Sequence, residues 1–281
     1  MNILSLFDGI SCGYIAGERA GLKIDNYYAY EIDQNAIKIS KKNYPQIIQC
    51  GDVTTENFTK YEGKIDLLIG GSPCQGFSFM GQGLNFNDPR SKLFFEYVRA
   101  LKEVKPKYFL LENVKMKKEW KDVISNELGV EPILINSSLV SAQNRERLYW
   151  TNIPNVTQPE DKGILLCNVI DVVNRKWTPK EHYNWIKNYW GKHTQESKIK
   201  SIVKDKAKTL TTSATHTNGW YFNNERTALT YFTADEAELL QTLPQGYTKD
   251  CGVANNGRFK AIGNGWTVDV IAHILGGLNN E

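Results

Sequence analysis

Residues 2–13 read NILSLFDGISCG, an apolar run that passes directly into a turn with two glycines. The composition of residues 2–6 predicts a buried β-strand, and residues 7–13 predict a turn into a helix over residues 14–20. A glycine-containing turn between a strand and a helix lets a ligand approach the backbone amides at the start of the helix. The segment therefore indicates an α/β fold with a ligand at the end of its first strand.

Downstream, the same alternation of strands and helices continues to residue 153. Further strands end near Glu31, at Gly70-Gly71 and at Glu112-Asn113, with amphipathic helices between them. This order predicts βαβ units and a Rossmann-like, doubly wound, mostly parallel α/β sheet with helices on both faces. Residues 134–139 and 148–153 follow each other closely and predict a hairpin at the sheet edge.

The pattern then changes, because residues 154–226 are richer in Asn, Thr, Lys and Trp and are only weakly periodic. We therefore predict a main domain of residues 1–153 and 227–281, and a small module of residues 154–226. A capping box at residues 233–236 predicts that a helix starts there. The apolar helix of residues 268–278 is expected to dock onto the main domain.

Charge is unevenly distributed along the 281 residues. The net charge is only +3, but residues 175–208 hold ten Lys and Arg against three Asp and Glu. Such a basic segment on a slightly acidic remainder suits a polyanionic ligand, and a solvated lysine-rich face is the alternative. Hydrophobic residues make up 41% of the chain, which excludes wholesale disorder.

The five cysteines are widely spaced and include no Cys-x-x-Cys pair. This spacing argues against a disulfide framework and against a zinc site, and it fits a reducing compartment. The start of the sequence lacks the basic region of a signal peptide, and no apolar stretch approaches the roughly 20 residues needed to span a bilayer. We therefore expect a cytoplasmic protein with no membrane partner and no metal.

Acidic residues follow the next two predicted strands. Glu31 lies 22 residues after Gly9, at a position where an acid commonly hydrogen-bonds ribose hydroxyls. Asp52 follows the third strand, from which it can reach an adenine amino group. These residues predict a nucleoside-bearing cofactor, although the loop alone also fits an ordinary tight turn. The spacing does not separate a nicotinamide cofactor from S-adenosylmethionine, and the missing G-x-G-x-x-G favours the second.

Cys74 directly follows a proline in the glycine-rich loop GGSPCQGFS at residues 70–78. The loop leaves a central strand at the sheet edge where α/β proteins bind their ligands. A buried, unreactive cysteine is the ordinary alternative, but the flanking glycines and proline favour an accessible thiol. All four histidines lie in the second half of the chain, so a cysteine–histidine pairing has no local support and another activator is needed.

Glu112 ends the next predicted strand, so its carboxyl group points to the same sheet edge as Cys74. A carboxyl group in such a cleft can stay protonated and donate a hydrogen bond to a ring nitrogen. Further on, Arg145 and Arg147 are two residues apart and are predicted to point to one face of a strand. As an alternative, either one is an ordinary surface arginine.

In this order and spacing, the motifs resemble those of the DNA (cytosine-5)-methyltransferase family, across nearly all of the chain except residues 154–226. The matching segments are Phe7-Asp8-Gly9 for the cofactor loop, Pro73-Cys74-Gln75 for the nucleophile, Glu112-Asn113-Val114 for the carboxylate, Gln143-x-Arg145-x-Arg147 for the base-holding motif and Gly263-Asn264-Gly265-Trp266-Thr267-Val268 for the last motif. Several segments look closest to the de novo methyltransferase branch. Ser11 and Gly265-Trp266 depart from the family's usual residues, which concerns the fine contacts to the cofactor.

The resemblance implies that the chain methylates carbon 5 of a flipped-out cytosine in duplex DNA, with S-adenosylmethionine as the methyl donor. Cys74 would add to carbon 6 of the base, and Glu112 would hydrogen-bond ring nitrogen 3. Arg147, together with Arg145, would contact the base carbonyl or the thiolate. The implied cofactor-binding residues are Phe7, Asp8, Gly9, Ile10, Ser11, Glu31, Ile32, Asp52, Val53, Asn264, Gly265 and Trp266. The implied DNA-binding residues are Ser78, Arg90, Gln143, Thr211 and Thr212, and residues 154–226 would form the target-recognition domain.

Three alternatives stay open. An RNA (tRNA) cytosine-5 methyltransferase uses the same chemistry, but the Cys-Phe-Thr tripeptide of the tRNA-modifying relatives is missing here. A non-catalytic DNA-binding homologue would lack the nucleophile, which is present, and a nicotinamide-dependent dehydrogenase would need a hydride-transfer site, which we do not find. The compact chain favours a bacterial or phage source and a cytoplasmic, nucleoid-associated enzyme. A partner restriction endonuclease, the recognised DNA sequence and the oligomeric state are left open.

Overall fold

The computed structural model describes residues 1–73, 92–171, 176–182, 200–201, 205–212 and 221–280. The chain divides into two compact units. The first unit comprises Met1–Asn136, Glu146–Pro159 and Val268–Glu281, and the second comprises Ser137–Arg145 and Glu160–Thr267.

The described helices are numbered in chain order. They are α1 Cys12–Arg19, α2 Gln34–Asn43, α3 Lys92–Val104, α4 Lys118–Leu128, α5 Leu166–Val169, α6 Ala234–Leu240, α7 Asn255–Asn264 and α8 Val268–Leu275. Short 3₁₀ helices span Val53–Thr55, Phe58–Tyr61, Ser137–Leu139, Lys180–His182 and Gly276–Asn280.

The first unit is built on a seven-stranded sheet with the order β3-β2-β1-β4-β5-β7-β6. Its strands are β1 Asn2–Leu6, β2 Asn26–Tyr30, β3 Ile48–Gln49, β4 Leu67–Gly70, β5 Tyr108–Val114, β6 Ile133–Asn136 and β7 Glu146–Thr151. The strands β1 to β5 pair in parallel, and β7 is antiparallel to both β5 and β6. The predicted mostly parallel, doubly wound sheet is confirmed, and so is the hairpin, with β6 at the edge.

The strand order reverses at β1, which pairs with β2 on one side and with β4 on the other. Consecutive residues of both central strands are fully buried, including Ile3, Leu4, Leu67 and Leu68. Both faces of the sheet are therefore covered, as expected for parallel strands that read as continuous apolar runs. In α/β sheets the crevice at such a reversal, beyond the carboxyl ends of the strands, is where ligands bind.

The last helix, α8, belongs to the first unit, as its apolar sequence predicts. It packs against α1, and Arg19 forms an ion pair with Asp269 at 2.6 Å. The helix is shorter than predicted, because it ends at Leu275 and continues as the 3₁₀ turn Gly276–Asn280.

The second unit contains a small sheet with the order β8-β11-β10-β9, formed by β8 Thr178–Pro179, β9 Lys200–Ser201, β10 Tyr221–Phe222 and β11 Ala228–Thr230. The predicted capping box is present, because the Glu236 amide donates to Thr233 Oγ1 and the Thr233 amide donates to Glu236 Oε2. The core joins residues of the predicted module to residues after it: Leu166, Ala207, Leu210 and Tyr221 with Phe232, Leu240, Phe259 and Ile262. The second unit thus takes in more of the chain than residues 154–226.

No helix among the described residues has the length and apolarity needed to cross a membrane. Within the same ranges, His, Cys, Asp and Glu side chains form no cluster of three or more that could hold a metal ion.

Candidate functional site

The loop that follows β1 has an unusual backbone. Phe7, Gly9 and Ser11 all have positive φ angles, of 57°, 61° and 60°. Residues with a Cβ rarely adopt this region, so the loop needs contacts that hold it there. The Asp8 amide donates to the Tyr30 carbonyl at 3.1 Å, and the Ser11 amide donates to the Asp8 carbonyl at 3.2 Å. The first bond ties the loop to the end of β2, and the second closes a turn within the loop.

The Asp8 carboxylate holds the same loop from inside. It accepts hydrogen bonds from the hydroxyls of Ser5 and Ser11, each at 2.6 Å, and of Tyr27 at 2.7 Å. Burial among these groups raises the pKa of Asp8 to about 6, although the three hydroxyl donors oppose that rise. The predicted contact of Asp8 with a cofactor stays a prediction, and the observed contacts of its side chain order the loop.

Sequence reasoning missed Ser5 and Tyr27 as members of this cluster. Ser5 had a usable signal, because it is a polar residue inside an otherwise apolar strand and buried hydroxyls need partners. Tyr27 had no such signal, since its phenol comes from the neighbouring strand and its sequence position resembles that of any core tyrosine.

Glu31 connects the ends of β1 and β2. Its carboxylate accepts the amides of Gly9, Ile32 and Asp33, each at 2.8 Å. A carboxylate has about four acceptor positions, so this one keeps capacity for a further donor. The space beyond the position of a Gly9 Cβ is open, and the side chain of Ile32 is 67% exposed. An apolar side chain and a carboxylate thus lie side by side at an open sheet edge.

Asp52 starts the 3₁₀ turn that follows β3. Its Oδ1 atom accepts both the amide and the hydroxyl of Thr54 at 2.8 Å, which leaves the exposed carboxylate fixed at the start of the turn. Val53, the next residue, is buried. Because β3, β2 and β1 are neighbours in the sheet, the structure brings Asp52, Glu31 and the Gly9 loop to one edge, as predicted.

The exit of β4 is fixed by β5. Asn113, 1% exposed, donates from Nδ2 to Ser72 Oγ at 3.1 Å and to the Ser72 carbonyl at 3.4 Å. A Cβ at Gly70 would lie 2.9 Å from the Tyr97 ring and 3.0 Å from the Leu6 carbonyl, so the close packing here requires glycine. Ser72 and Pro73 lead directly into Cys74, which lies outside the described residues, as do Ser78 and Arg90.

Glu112 and Arg147 form an ion pair on the adjacent strands β5 and β7. The Arg147 Nε atom lies 2.9 Å from Glu112 Oε1, and the two side chains are only 14% and 11% exposed. Arg147 also donates from Nη1 to the Glu146 carbonyl at 2.8 Å. The structure therefore brings together two of the predicted catalytic side chains. Glu112 directly precedes Asn113, the residue whose side chain fixes the exit of β4.

Arg145 does not share a strand face with Arg147, so that expectation is wrong. β7 begins at Glu146, and Arg145 belongs to the second unit, where it is 3% exposed. Its guanidinium group donates to the backbone carbonyls of Leu210, Gly263 and Gly265 at 3.1–3.2 Å. These contacts order the backbone of the last motif.

The remaining predicted residues lie in the second unit. Gln143 is fully buried, donates to the Leu240 carbonyl at 3.0 Å and accepts the Leu210 amide at 2.7 Å, so its amide group has partners inside the protein. Thr211 and Thr212 are exposed, as is Asn264, whereas Gly265 is buried and Trp266 is partly buried. DNA binding by these residues and cofactor binding by the last motif stay predictions.

The model of the C-5 cytosine-specific DNA methylase family matches residues 1–228 of the chain. The Type II methyltransferase M.Eco47II of Escherichia coli is 44% identical over 115 residues, which are 40% of this chain and 27% of that protein. The orphan methyltransferase M.SPRI of Bacillus phage SPR is 38% identical over 166 residues, which are 54% of this chain and 38% of that protein. The matched segments thus span less than half of either relative.

Among solved structures, the Entamoeba histolytica methyltransferase EhMeth has the same fold. The TM-score is 0.80 at 19% sequence identity, and the match covers 100% of this chain and 98% of that chain.

Proposed function

The chain belongs to the C-5 cytosine-specific DNA methylase family, and we propose that it methylates carbon 5 of cytosine in specific sites of duplex DNA. The observation that carries this proposal is the nearly buried pair of Glu112 and Arg147, at 2.9 Å, beside the fixed strand exit that leads into Cys74. A carboxyl group and a guanidinium group at this sheet edge, with a cysteine directly after the fixed strand exit in the sequence, are the groups that this chemistry needs.

The cofactor of this reaction is S-adenosylmethionine, which supplies the methyl group when it is bound. The open loop at Gly9 fits its approach, because, apart from the neighbouring residues of the chain, none of the described atoms lies within 4 Å of a Cβ placed there. Glu31 has acceptor capacity for ribose hydroxyls, and the exposed side chain of Ile32 offers an apolar surface for the adenine ring. Asp52 would accept the adenine amino group. Phe7, Ile10 and Ser11 would shape the loop.

Cys74, Glu112 and Arg147 would act on the base. The Cys74 thiolate would form a bond to carbon 6 of cytosine and push electron density to carbon 5, which takes the methyl group. Loss of the proton from carbon 5 would then break the sulfur–carbon bond and release Cys74. Once protonated, Glu112 would donate a hydrogen bond to ring nitrogen 3 and so stabilise the negative charge that develops in the ring, while Arg147 orients the Glu112 side chain.

A base inside a duplex cannot reach such groups, so the target cytosine would leave the helix. The basic segment of residues 175–208 would contact the phosphates, and residues 154–226 would recognise the DNA sequence. Ser78, Arg90, Thr211 and Thr212 are the DNA contacts that we propose, whereas the buried Gln143 would support the backbone at Leu210.

The test uses the full chain, tritiated S-adenosylmethionine, and two polymers: duplex DNA of mixed sequence and unmodified tRNA. We expect label in the DNA, a denaturation-resistant adduct with duplexes that contain 5-fluorocytosine, and neither result with Cys74→Ala. Label in tRNA alone would establish the RNA alternative instead. Methylation that survives in Cys74→Ala would overturn the covalent mechanism.

A further inference from the structure

Arg99 lies in α3, outside every motif that the proposed function uses. Its guanidinium group has five N–H donors, and each of them has a partner. Nε and Nη2 donate to Glu96 Oε2 at 2.9 and 2.6 Å, and Nη1 donates to Glu103 Oε2 at 3.2 Å. The two remaining bonds go to backbone carbonyls, from Nη1 to Glu56 at 2.9 Å and from Nη2 to Val53 at 3.1 Å.

The two carbonyls belong to the segment that carries Asp52. The 3₁₀ turn Val53–Thr55 starts at Asp52, and Glu56 is the residue directly after it. Arg99 therefore holds the turn at its first residue and just beyond its last. Since Asp52 Oδ1 is fixed to Thr54 inside the same turn, the position of the carboxylate relative to α3 depends on Arg99.

Two further contacts anchor this segment, because Val53 packs in the hydrophobic core and the Glu56 carboxylate accepts the Tyr30 hydroxyl at 2.5 Å. Asp52, Thr54 and Thr55 are exposed, and Val53 is the one buried residue between residues 52 and 55. The guanidinium group itself is well held, because its Cζ atom lies 4.8 Å from the centroid of the fully buried Phe58 ring. A lysine could not replace it, since an ammonium group lacks the planar fork that reaches two carbonyls and two carboxylates at once.

We propose that Arg99 is a positioning residue that sets the adenine selectivity of the cofactor site by holding Asp52. This inference rests on the proposed function, in which Asp52 accepts the adenine 6-amino group. A displaced turn would move the Asp52 carboxylate away from that amino group and would leave the contacts of Glu31 with the rest of the nucleoside in place. Selectivity between purines should then fall more than affinity for nucleosides in general.

The experiment measures dissociation constants by calorimetry for S-adenosylhomocysteine and for S-inosylhomocysteine, in which a carbonyl oxygen replaces the amino group. We expect the unmodified protein to prefer the adenosyl compound by about tenfold or more, which is the effect of one charge-assisted hydrogen bond. Asp52→Ala should bring the ratio close to one, and Arg99→Ala should do the same. In the Asp52→Ala background, Arg99→Ala should change the ratio no further.

Lys102→Ala is the matched control, because Lys102 lies in the same helix and makes an exposed ion pair with Glu127. It should keep the ratio of the unmodified protein. Arg99→Lys is the second test variant if Arg99→Ala does not fold, and it should lose most of the preference for the adenosyl compound. The role of Arg99 would be overturned if the ratio of the two dissociation constants stayed unchanged in the Arg99 variants. An equal loss of affinity for both ligands would overturn it as well. Failure of the unmodified protein to bind S-adenosylhomocysteine would instead count against the proposed function.

Discussion

Arg147 Nε lies 2.9 Å from Glu112 Oε1, and this pair is almost completely removed from solvent. The two residues are 35 positions apart in the sequence and meet because β7 runs antiparallel to β5, with Arg147 opposite Val114. Each side chain compensates the charge of the other, so neither can be removed without leaving an uncompensated charge at the sheet edge.

We therefore expect Arg147→Ala to lower the rate of methyl transfer by about 100-fold or more, because Glu112 loses the group that orients it. The measurement is a single-turnover assay with saturating DNA and cofactor. Lys115→Ala is the control, since Lys115, directly after β5, pairs with Glu146 of β7 but with both side chains exposed. Equal rates for the two variants would contradict an orienting role for Arg147.

Glu31→Ala should weaken binding of S-adenosylhomocysteine by about 1.5–3 kcal/mol, the usual cost of losing a hydrogen bond to a charged group. The loop at Gly9 would also lose one of its anchors, because Glu31 accepts the Gly9 amide. Calorimetry checks the affinity. Asp25→Ala, just before the opposite end of β2, should leave it unchanged, and a similar loss in both variants would argue against a local effect of Glu31.

Asp8 makes stability depend on pH. Its pKa in the folded protein is about 6, above the ordinary value of 3.8, so the folded state binds the proton more tightly than the unfolded chain does. The resulting stabilisation is complete below about pH 4 and is lost as the pH rises through 6. Asp8→Asn should remove this pH dependence, which amounts to a difference of about 1–3 kcal/mol in the free energy of unfolding across this pH range.

Urea unfolding at several pH values between 4 and 7 measures that difference. Asp25→Asn serves as the comparison, because the hydrogen bond from the N-terminal amino group lowers the pKa of Asp25 below 3.8, so its contribution changes only below this range and the variant should keep the slope of the unmodified protein. An Asp8→Asn protein with the same slope as the unmodified one would show that Asp8 does not titrate in this range.

Gly263→Ala should destabilise the second unit by about 3 kcal/mol. The added Cβ would lie 2.2 Å from the Thr211 carbonyl oxygen, which is backbone and cannot turn aside. Gly276→Ala is the matched control, since in the described part of the chain only adjacent residues come within 4 Å of its Cβ position. Thermal unfolding measures both, and equal melting temperatures would contradict the close approach at Gly263.

The sequence was sufficient to predict the parallel sheet, because its central strands β1, β4 and β5 contain short apolar runs and α3 has an apolar stripe. β5 continues two residues past Glu112 to Val114, whereas Glu31 directly follows β2 and Asp52 lies shortly after β3, as predicted. These are consequences of local periodicity and of a single topological rule.

What could not be predicted are contacts between side chains and distant backbone. Arg145 resembles Arg147 in sequence, yet its guanidinium group binds the carbonyls of Gly263 and Gly265, more than 100 positions away. Arg99 likewise resembles any solvated arginine of an amphipathic helix. A carbonyl carries no residue identity, so neither composition nor spacing indicates which one a guanidinium group will reach.

The division of the chain bears on how its recognition properties can be transplanted. The second unit is assembled from two separate stretches, and its core needs Leu240, Phe259 and Ile262 from the region after residue 226. A chimera that exchanges only residues 154–226 would divide this core. It would transfer part of the hydrophobic cluster to the recipient protein without Leu240, Phe259 and Ile262. Exchange of Glu160–Thr267 as one cassette, with Ser137–Arg145 matched to it, would keep the cluster whole.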